Sequence, residues 1–451
     1  MKKNIYLSSM AEFNIFKTEE DFCRNFEQIK PLMNTTEAFY ESSRCLFCYD
    51  APCVKACPAS IDIPLFIRQI QTNNIFGAAK TIYESNYLGN ACGKVCPTEV
   101  LCEGACVFNK QKIKSLEIGR LQSFATTTAI LHNKKLFAVP EDKSAKVAVI
   151  GAGPAGIACA CELRLHGYPV DIYEEKAQPS GLLIHGVAPY KIGNLEIIFE
   201  INYLQSIFGF TVHYKSPVKT KIDLQKLEKT YSAIFLGIGL GNTRSLNISG
   251  EDLKNCIGAT EFIEQLKLNH LTTVVGKKVV VLGGGNTAMD AASDAARMGA
   301  ETVILAYRGN KAAMKAYHFE YELAKNVNVQ AIFNAMPVAI TGYGQVSGVK
   351  FQKTQTQNGK LQAVAGSEFS IDCDMVIKAT GQKKQSDFLK LIDNLKLDDS
   401  GRIVTQAGNG QTTNPKYFAG GDARNGGTEV VNAAAEGKWA AQGIVDFLQK
   451  M

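Results

Sequence analysis

Eight of the chain's 13 cysteines fall between residues 45 and 106, and this density constrains the fold more than any other feature. Cys45, Cys48, Cys53 and Cys57 lie in "SRCLFCYDAPCVKACP", with the spacing C-x2-C-x4-C-x3-C-P. Cys92, Cys96, Cys102 and Cys106 follow in "NACGKVCPTEVLCEGAC", with Pro97 behind Cys96. Bacterial ferredoxins use a C-x2-C-x2-C-x3-C-P run whose fourth cysteine ligates a second cluster. The same logic holds here: three close thiolates wrap one cubane, and the cysteine before Pro58 serves another. A structural zinc site shows paired C-x2-C knuckles or added histidines. Only Cys45 and Cys48 form such a knuckle, and no histidine occurs before His132. Iron–sulfur binding is therefore expected, with zinc and disulfides as the competing uses. Spacing alone makes Cys92 the eighth ligand.

The rest of the chain sets the frame. At 451 residues it is too long for one core. A net charge of +6 fits anionic cofactors, and no long Lys/Arg run argues for nucleic acid. The start "MKKNIYLSSMAEFNIFKTEEDF" lacks an apolar stretch of secretory type. No apolar run reaches the ~18 residues of a membrane helix. A cytoplasmic protein is expected, where clustered cysteines bind metal or do redox chemistry. Helix-like segments occupy residues 1–140, and "VPEDKSAK" (139–146) reads as a linker. Strand-like and helical patterns alternate after it, which means parallel sheets. The expected class is α/β: a helical domain (1–140), then two Rossmann-like domains. The pattern starts twice, at residues 147 and 278.

Each Rossmann-like pattern opens on a glycine-rich turn. "VAVIGAGPAG" places Gly151, Gly153 and Gly156 between a strand and a helix, and Glu174 ends the next strand. The first glycine permits the tight turn, the second admits a pyrophosphate, and the third packs the helix on the strand; the acid holds a ribose hydroxyl. "VVVLGGGNTAMD" repeats the device with Gly283, Gly285 and Ala288. Its next strand ends in Arg308 rather than an acid, which leans toward a 2′-phosphate and NADP(H). Near the C-terminus, "YFAGGDARNGGTEVV" gives a short strand, Gly421-Asp422, and a helix opening near Thr428. An acid there can hold a ribityl or ribose hydroxyl, and a helix N-terminus stabilises negative charge.

Together these motifs resemble the flavoprotein module shared by glutamate synthase small subunits and dihydropyrimidine dehydrogenase. The resemblance runs from about residue 35 to the end. "RCLFCYDAPCVKACP", "NYLGNACGKVCPTEVLCEGAC" and "IGRLQSFAT" are most similar to the dihydropyrimidine dehydrogenase branch, above all to the electron-input subunit of its bacterial NAD-dependent form. The resemblance implies a glutathione-reductase-like fold in which the first Rossmann-like domain, 145–250 and 385–451, has the second, 251–384, inserted in it, with two [4Fe-4S] clusters, FAD, and NAD(P)H as substrate. It implies one cluster on Cys45, Cys48, Cys53 and Cys106. It implies a second on Cys57, Cys96, Cys102 and the side-chain oxygen of Gln122, which overrules Cys92. FAD contacts are implied for Gly151, Ala152, Gly153, Pro154, Ala155, Gly156, Glu174, Gly181, Leu182, Lys191, Gly421, Asp422 and Thr428. NAD(P) contacts are implied for Gly284, Gly285, Asn286, Thr287, Arg308, Lys315, Ala379, Thr380 and Gly381. Three departures stand out: Ser180 replaces a glycine before the flavin loop, "GVAPYKIG" displaces Pro189 and puts Lys191 where arginine is usual, and the Arg-Arg pair of many relatives is Arg308-Gly309. The last leaves NADH against NADPH open.

The implied activity is electron transfer from NAD(P)H through FAD and the clusters to a partner subunit. No side chain is assigned as acid, base or nucleophile, because the cofactors carry the chemistry. No C-x-x-C pair lies outside the clusters, which disfavours dithiol chemistry, and Cys159 and Cys161 are expected to be packing residues. A pyrimidine-reducing FMN barrel needs about 250 further residues and must sit on another polypeptide. Two rivals remain: a glutamate-synthase-type or ferredoxin-linked relative, and a zinc-stabilised nucleotide-binding scaffold or redox sensor.

Overall fold

The computed structural model describes residues 13–16 and 18–450, so the first twelve residues, read above for a leader, lie outside it. The chain divides into two compact units.

The larger unit joins residues 29–184, 191–241 and 384–451. Its first part is helical, and local signals start the helices. Asn34 caps Thr35–Ser43 with a reciprocal bond to Glu37, and Asp62 caps Ile63–Gln71 with a proline in its first turn. Ile63, Phe66, Ile67 and Ile70 recur at helical spacing and close a core with Ile82, Ile118 and Leu121. The expected boundary at residue 140 falls inside this unit. A reason is Glu200 on helix Asn194–Phe208, which is fully buried and accepts from the amides of Asn90 (2.7 Å) and Ala91 (3.0 Å) and from the Tyr83 hydroxyl (3.2 Å). Burial pushes its carboxyl up to about 7, against the opposing pull of the two amides.

The strands are β1 (Val147–Ile150), β2 (Val170–Tyr173), β3 (Thr211–His213), β4 (Ala233–Leu236), β5 (Cys256–Gly258), β6 (Lys278–Leu282), β7 (Thr302–Tyr307), β8 (Gln330–Phe333), β9 (Ala335–Tyr343), β10 (Gln345–Gln357), β11 (Lys360–Asp372), β12 (Met375–Lys378) and β13 (Tyr417–Ala419). The larger unit holds a parallel sheet of order β13-β4-β1-β2-β3. β1 and β4 are buried along their whole length, as expected of strands covered on both faces.

The smaller unit includes residues 185–190 and 242–383, with a second parallel sheet of order β5-β12-β6-β7-β8. The antiparallel sheet β11-β10-β9 interrupts the repeat between β8 and β12. Helix Glu19–Asn25 also belongs here, not with the helical domain where the sequence placed it: Asn25 Nδ2 donates to the Arg297 carbonyl at 2.8 Å, and Arg297 donates back to the Asn25 carbonyl at 2.7 Å.

Candidate functional site

Four sites emerge: two cysteine-lined cavities and two glycine-rich turns. Cys45, Cys48, Cys53 and Cys106 line the first cavity. Its other walls are apolar, from Ile63, Ile67, Val107, Phe108, Leu116 and Ile118 among others. Cys57, Cys92, Cys96, Cys102 and Gln122 line the second, together with Asn86 and Thr98. Cys53 and Cys57 lie in and just past one short helix, Pro52–Lys55, yet serve different cavities. Ile63 lines both.

The second cavity depends on a close helix crossing. A Cβ on Gly93 would lie 2.7 Å from the Gly119 carbonyl, and one on Gly119 would lie 2.4 Å from the Gly93 carbonyl. Helices Gly89–Val95 and Ile118–Leu131 thus touch backbone to backbone. This contact brings Cys96, at the end of the first, to the same space as Gln122 on the second. Gln122 is buried, and its Nε2 donates to the Gly89 carbonyl at 2.6 Å. The amide nitrogen is thereby used, and Oε1 is the side chain's remaining donor atom for a metal.

Burial pushes the Cys53 thiol up to about 11 and raises Cys45, Cys57 and Cys102; Cys96 is raised by its hydrogen bond with Cys92 and by burial. Such thiols need a nearby positive charge to be held as thiolates, and a metal centre supplies it. Soft sulfur donors spread around a multi-atom space fit an iron–sulfur cubane. Cys92 lies in the cavity wall beside Cys96, so the lining contains both candidates for the eighth ligand. Lys30, with no signal in the sequence, donates to the Cys96 carbonyl at 2.9 Å and to Thr98 Oγ1 at 2.8 Å.

The first glycine-rich turn follows β1. A Cβ on Gly151, at φ +99°, would meet the Gly237 carbonyl at 2.5 Å, and one on Gly156 would meet the Gly151 carbonyl at 2.0 Å. At Gly153 the nearest atom is 3.8 Å away, so this glycine faces open space at the start of helix Pro154–Leu165. That is the cradle a pyrophosphate requires. Glu174 is brought to it: its carboxylate accepts from the Ala152 amide and from the Lys176 amide, both at 2.8 Å. Ser180 donates its amide to the Ala152 carbonyl at 2.7 Å, and Gly181 stands against Gly153, with Leu182 next in chain. Gly421 packs on Ala155, so Asp422 is carried to the same turn. Burial raises the Asp422 carboxyl to about 6, while the Thr428 amide opposes that shift. Lys191 is buried in the same unit. Cys159 and Cys161 are fully buried in the helix behind the turn.

The second turn follows β6. A Cβ on Gly283 would meet the Ala379 carbonyl at 2.5 Å, while Gly285 has nothing within 4 Å. Gly284 lies under the Tyr307 ring, where a Cβ would come within 2.5 Å. Asn286 starts helix Asn286–Arg297, and its Oδ1 accepts from the Tyr317 amide at 3.0 Å, with Thr287 exposed beside it. The Gly284 carbonyl accepts from the amides of Lys315 and Ala316, both at 3.0 Å. Arg308 and Lys315 are exposed. Thr380 and Gly381, after Ala379, bond to Arg244: the Arg244 amide donates to the Gly381 carbonyl at 2.8 Å and its guanidinium to the Thr380 carbonyl at 3.0 Å. Arg244 and Tyr307 went unread in the sequence because no motif marks them.

Comparison with known proteins gives the family. Residues 22–134 match the family described as dihydropyrimidine dehydrogenase domain II, 4Fe-4S cluster, and residues 145–437 match pyridine nucleotide-disulphide oxidoreductase. The glutamate synthase [NADPH] small chain of Escherichia coli (strain K12) is 32% identical over 446 residues, 94% of each chain. The NAD-dependent dihydropyrimidine dehydrogenase subunit PreT of the same strain is 31% identical over 424 residues, 94% of this chain and 97% of that one. Among solved structures, Mycobacterium tuberculosis FprA in complex with NADPH aligns with a TM-score of 0.57 at 18% identity, over 68% of this chain and 85% of its own. At that identity the likeness concerns the fold.

Proposed function

Because the chain belongs to the NAD(P)H-dependent oxidoreductase family that includes glutamate synthase small chains and PreT subunits, with FAD and 4Fe-4S iron–sulfur as its cofactors, we propose that it is an electron-input subunit holding two clusters and serving a separate reductase. Bound FAD supplies a two-electron acceptor that can release electrons singly, and the clusters carry single electrons. The chain's own residues do the placing. Gly151 to Gly156, Glu174, Gly181, Leu182, Lys191 and the Asp422–Thr428 turn seat the flavin nucleotide. Gly284 to Thr287, Arg308, Lys315 and Ala379 to Gly381 seat NAD(P)H. Cys45, Cys48, Cys53 and Cys106 hold one cluster; Cys57, Cys96, Cys102 and Gln122 hold the other.

The observation that carries this reading is the order of the sites. Val431, at the head of helix Val430–Leu448 just past the Asp422–Thr428 turn, lines the second cavity, and Ile63 lines both cavities. Flavin turn, second cavity and first cavity therefore form a continuous series. Leu46, in the wall of the first cavity, is 56% exposed, so the series ends at the surface.

The partner we propose is a dihydropyrimidine dehydrogenase catalytic subunit that reduces uracil or thymine. Glutamate synthase is the second reading, favoured by the equal similarity to its small chain. Anaerobic purification with iron, sulfide and flavin quantitation tests the cofactor set: about eight irons and one FAD per chain are expected. Titration with NADH and NADPH should bleach the flavin absorption. Zinc in place of iron, or flavin that neither nucleotide reduces, would sink the reading. Co-expression with each partner class then separates uracil-dependent from 2-oxoglutarate-dependent NAD(P)H oxidation.

A further inference from the structure

The second cysteine cavity carries a polar side chain that no motif assigns. Every lining residue of the first cavity is a cysteine or an apolar residue. The second is lined also by Asn86, which is 2% exposed and ends helix Ile75–Ser85. The Asn86 amide N–H donates to the Ile82 carbonyl at 2.9 Å, and its Oδ1 accepts from the Leu88 amide at 3.0 Å. Those bonds fix the side-chain amide. Flipping it would set Nδ2 against the Leu88 N–H, donor against donor. Nδ2 is completely enclosed and has no hydrogen-bond partner. A buried donor without an acceptor is costly, so each one calls for an explanation, and beside a cysteine-lined cavity an absent acceptor supplies it. The atoms that would accept in this cavity are sulfurs, the thiolates of Cys57, Cys96 and Cys102 and the inorganic sulfides of a cluster they hold.

We propose that Asn86 is a positioning residue of the second cluster, donating its Nδ2–H to a cluster sulfur and thereby making that cluster easier to reduce. A donor to sulfur stabilises the more negative, reduced state, and hydrogen bonds to sulfur set cluster potentials. The first cavity, with its apolar walls, offers no side-chain amide or hydroxyl. The inference rests on the two-cluster reading above.

The test uses the anaerobic holoprotein. Resonance Raman spectra of the oxidised clusters should show Fe–S stretches that shift between H2O and D2O. Backbone N–H groups that bond Cys57 and Cys102 contribute to that shift in every variant, so Asn86→Ala should diminish it, with its iron content unchanged. In a redox titration its second cluster should show about a tenfold lower ratio of reduced to oxidised form at fixed potential, ~59 mV for one electron. Asn86→Asp, which preserves the acceptor for Leu88, serves if the alanine variant does not hold iron. Wild-type protein with 15N-labelled asparagine gives a reading free of any variant: coupling of an asparagine nitrogen to the reduced second cluster is expected. Wild-type stretches indifferent to D2O, a variant that keeps the full shift, or no asparagine coupling would each overturn the proposal. A wild-type protein without eight irons would instead overturn the two-cluster reading, so the two failures are distinguishable.

Discussion

The two glycine-rich turns share a steric device and differ in everything attached to it. In the first, the middle residue is Ala152, whose amide donates to Glu174 at 2.8 Å and whose carbonyl accepts from Ser180 at 2.7 Å. In the second, the middle residue is Gly284, pressed under the Tyr307 ring, and its carbonyl accepts from Lys315 and Ala316. The strand after the first turn ends in a buried carboxylate, and the strand after the second ends in an exposed arginine. The glycines therefore specify only that a dinucleotide can approach. Which dinucleotide is decided by what the next strand delivers.

The largest expected effect separates packing glycines from approach glycines. Gly156→Ala puts a methyl 2.0 Å from the Gly151 carbonyl, a backbone atom that cannot step aside. The expected loss is about 3 kcal/mol or more, from overpacking at a fully buried helix–strand contact, and the protein should purify without flavin. Gly285→Ala meets nothing within 4 Å. It should keep FAD and iron and raise the KM for nicotinamide nucleotide about tenfold, because the methyl occupies the ligand's space. The ratio of flavin to protein absorbance reads the first result and steady-state kinetics the second. Flavin-replete Gly156→Ala protein would break the division.

These turns were legible because each motif names a backbone position that only glycine satisfies, and because the partner residue comes at a fixed distance along the next strand. The cysteine run at 45–57 was legible for the same reason, but spacing alone did not show that Cys106 shares a cavity with Cys45, Cys48 and Cys53, or Gln122 one with Cys57. What the sequence concealed is long-range. Glu200 lies 110 residues from the Asn90 amide it binds, and no local pattern distinguishes it from a surface glutamate on an amphipathic helix. The Gly93–Gly119 crossing pairs two glycines that do nothing special in their own helices. The antiparallel insertion was partly readable: Asn358 and Gly359, at φ +50° and +72°, form the Asn-Gly hairpin turn between β10 and β11. The outer parallel pattern masked it.

The strand-end difference yields a second, smaller effect. Arg308→Ala is expected to raise the KM for NADPH 10- to 100-fold, the range of one charge-assisted phosphate contact of about 1.5–3 kcal/mol. The KM for NADH should stay within about threefold, since the 2′-hydroxyl offers no charge to match. Loss of both activities in parallel would show that Arg308 supports the loop rather than reads the nucleotide. Unchanged NADPH kinetics would move the role to Lys315 or Arg244.

The smallest effect concerns Ser180, where the resemblance implies a glycine. Its backbone is left-handed, at φ +72°, which glycine adopts freely and serine does not. Its side chain is fully buried, and Oγ has no hydrogen-bond partner. Strain of about 1 kcal/mol and an unpaired hydroxyl of about 1 kcal/mol both argue for replacement. Against them stands about 0.5–1 kcal/mol of extra chain entropy that glycine loses on folding. Ser180→Gly should therefore stabilise the flavin-free protein by about 1 kcal/mol, a rise in Tm of about 1–2 °C. The same variant in the flavin-loaded protein sharpens the contrast between the turns. If Oγ is kept because it bonds the flavin nucleotide, Ser180→Gly gains Tm without flavin and loses flavin affinity. The first turn would then hold its ligand through a side chain on the loop that closes over it, whereas the corresponding amides of Lys315 and Ala316 at the second are already committed to Gly284. If flavin affinity is untouched, the serine is plain strain, and the two turns differ only in their strand ends.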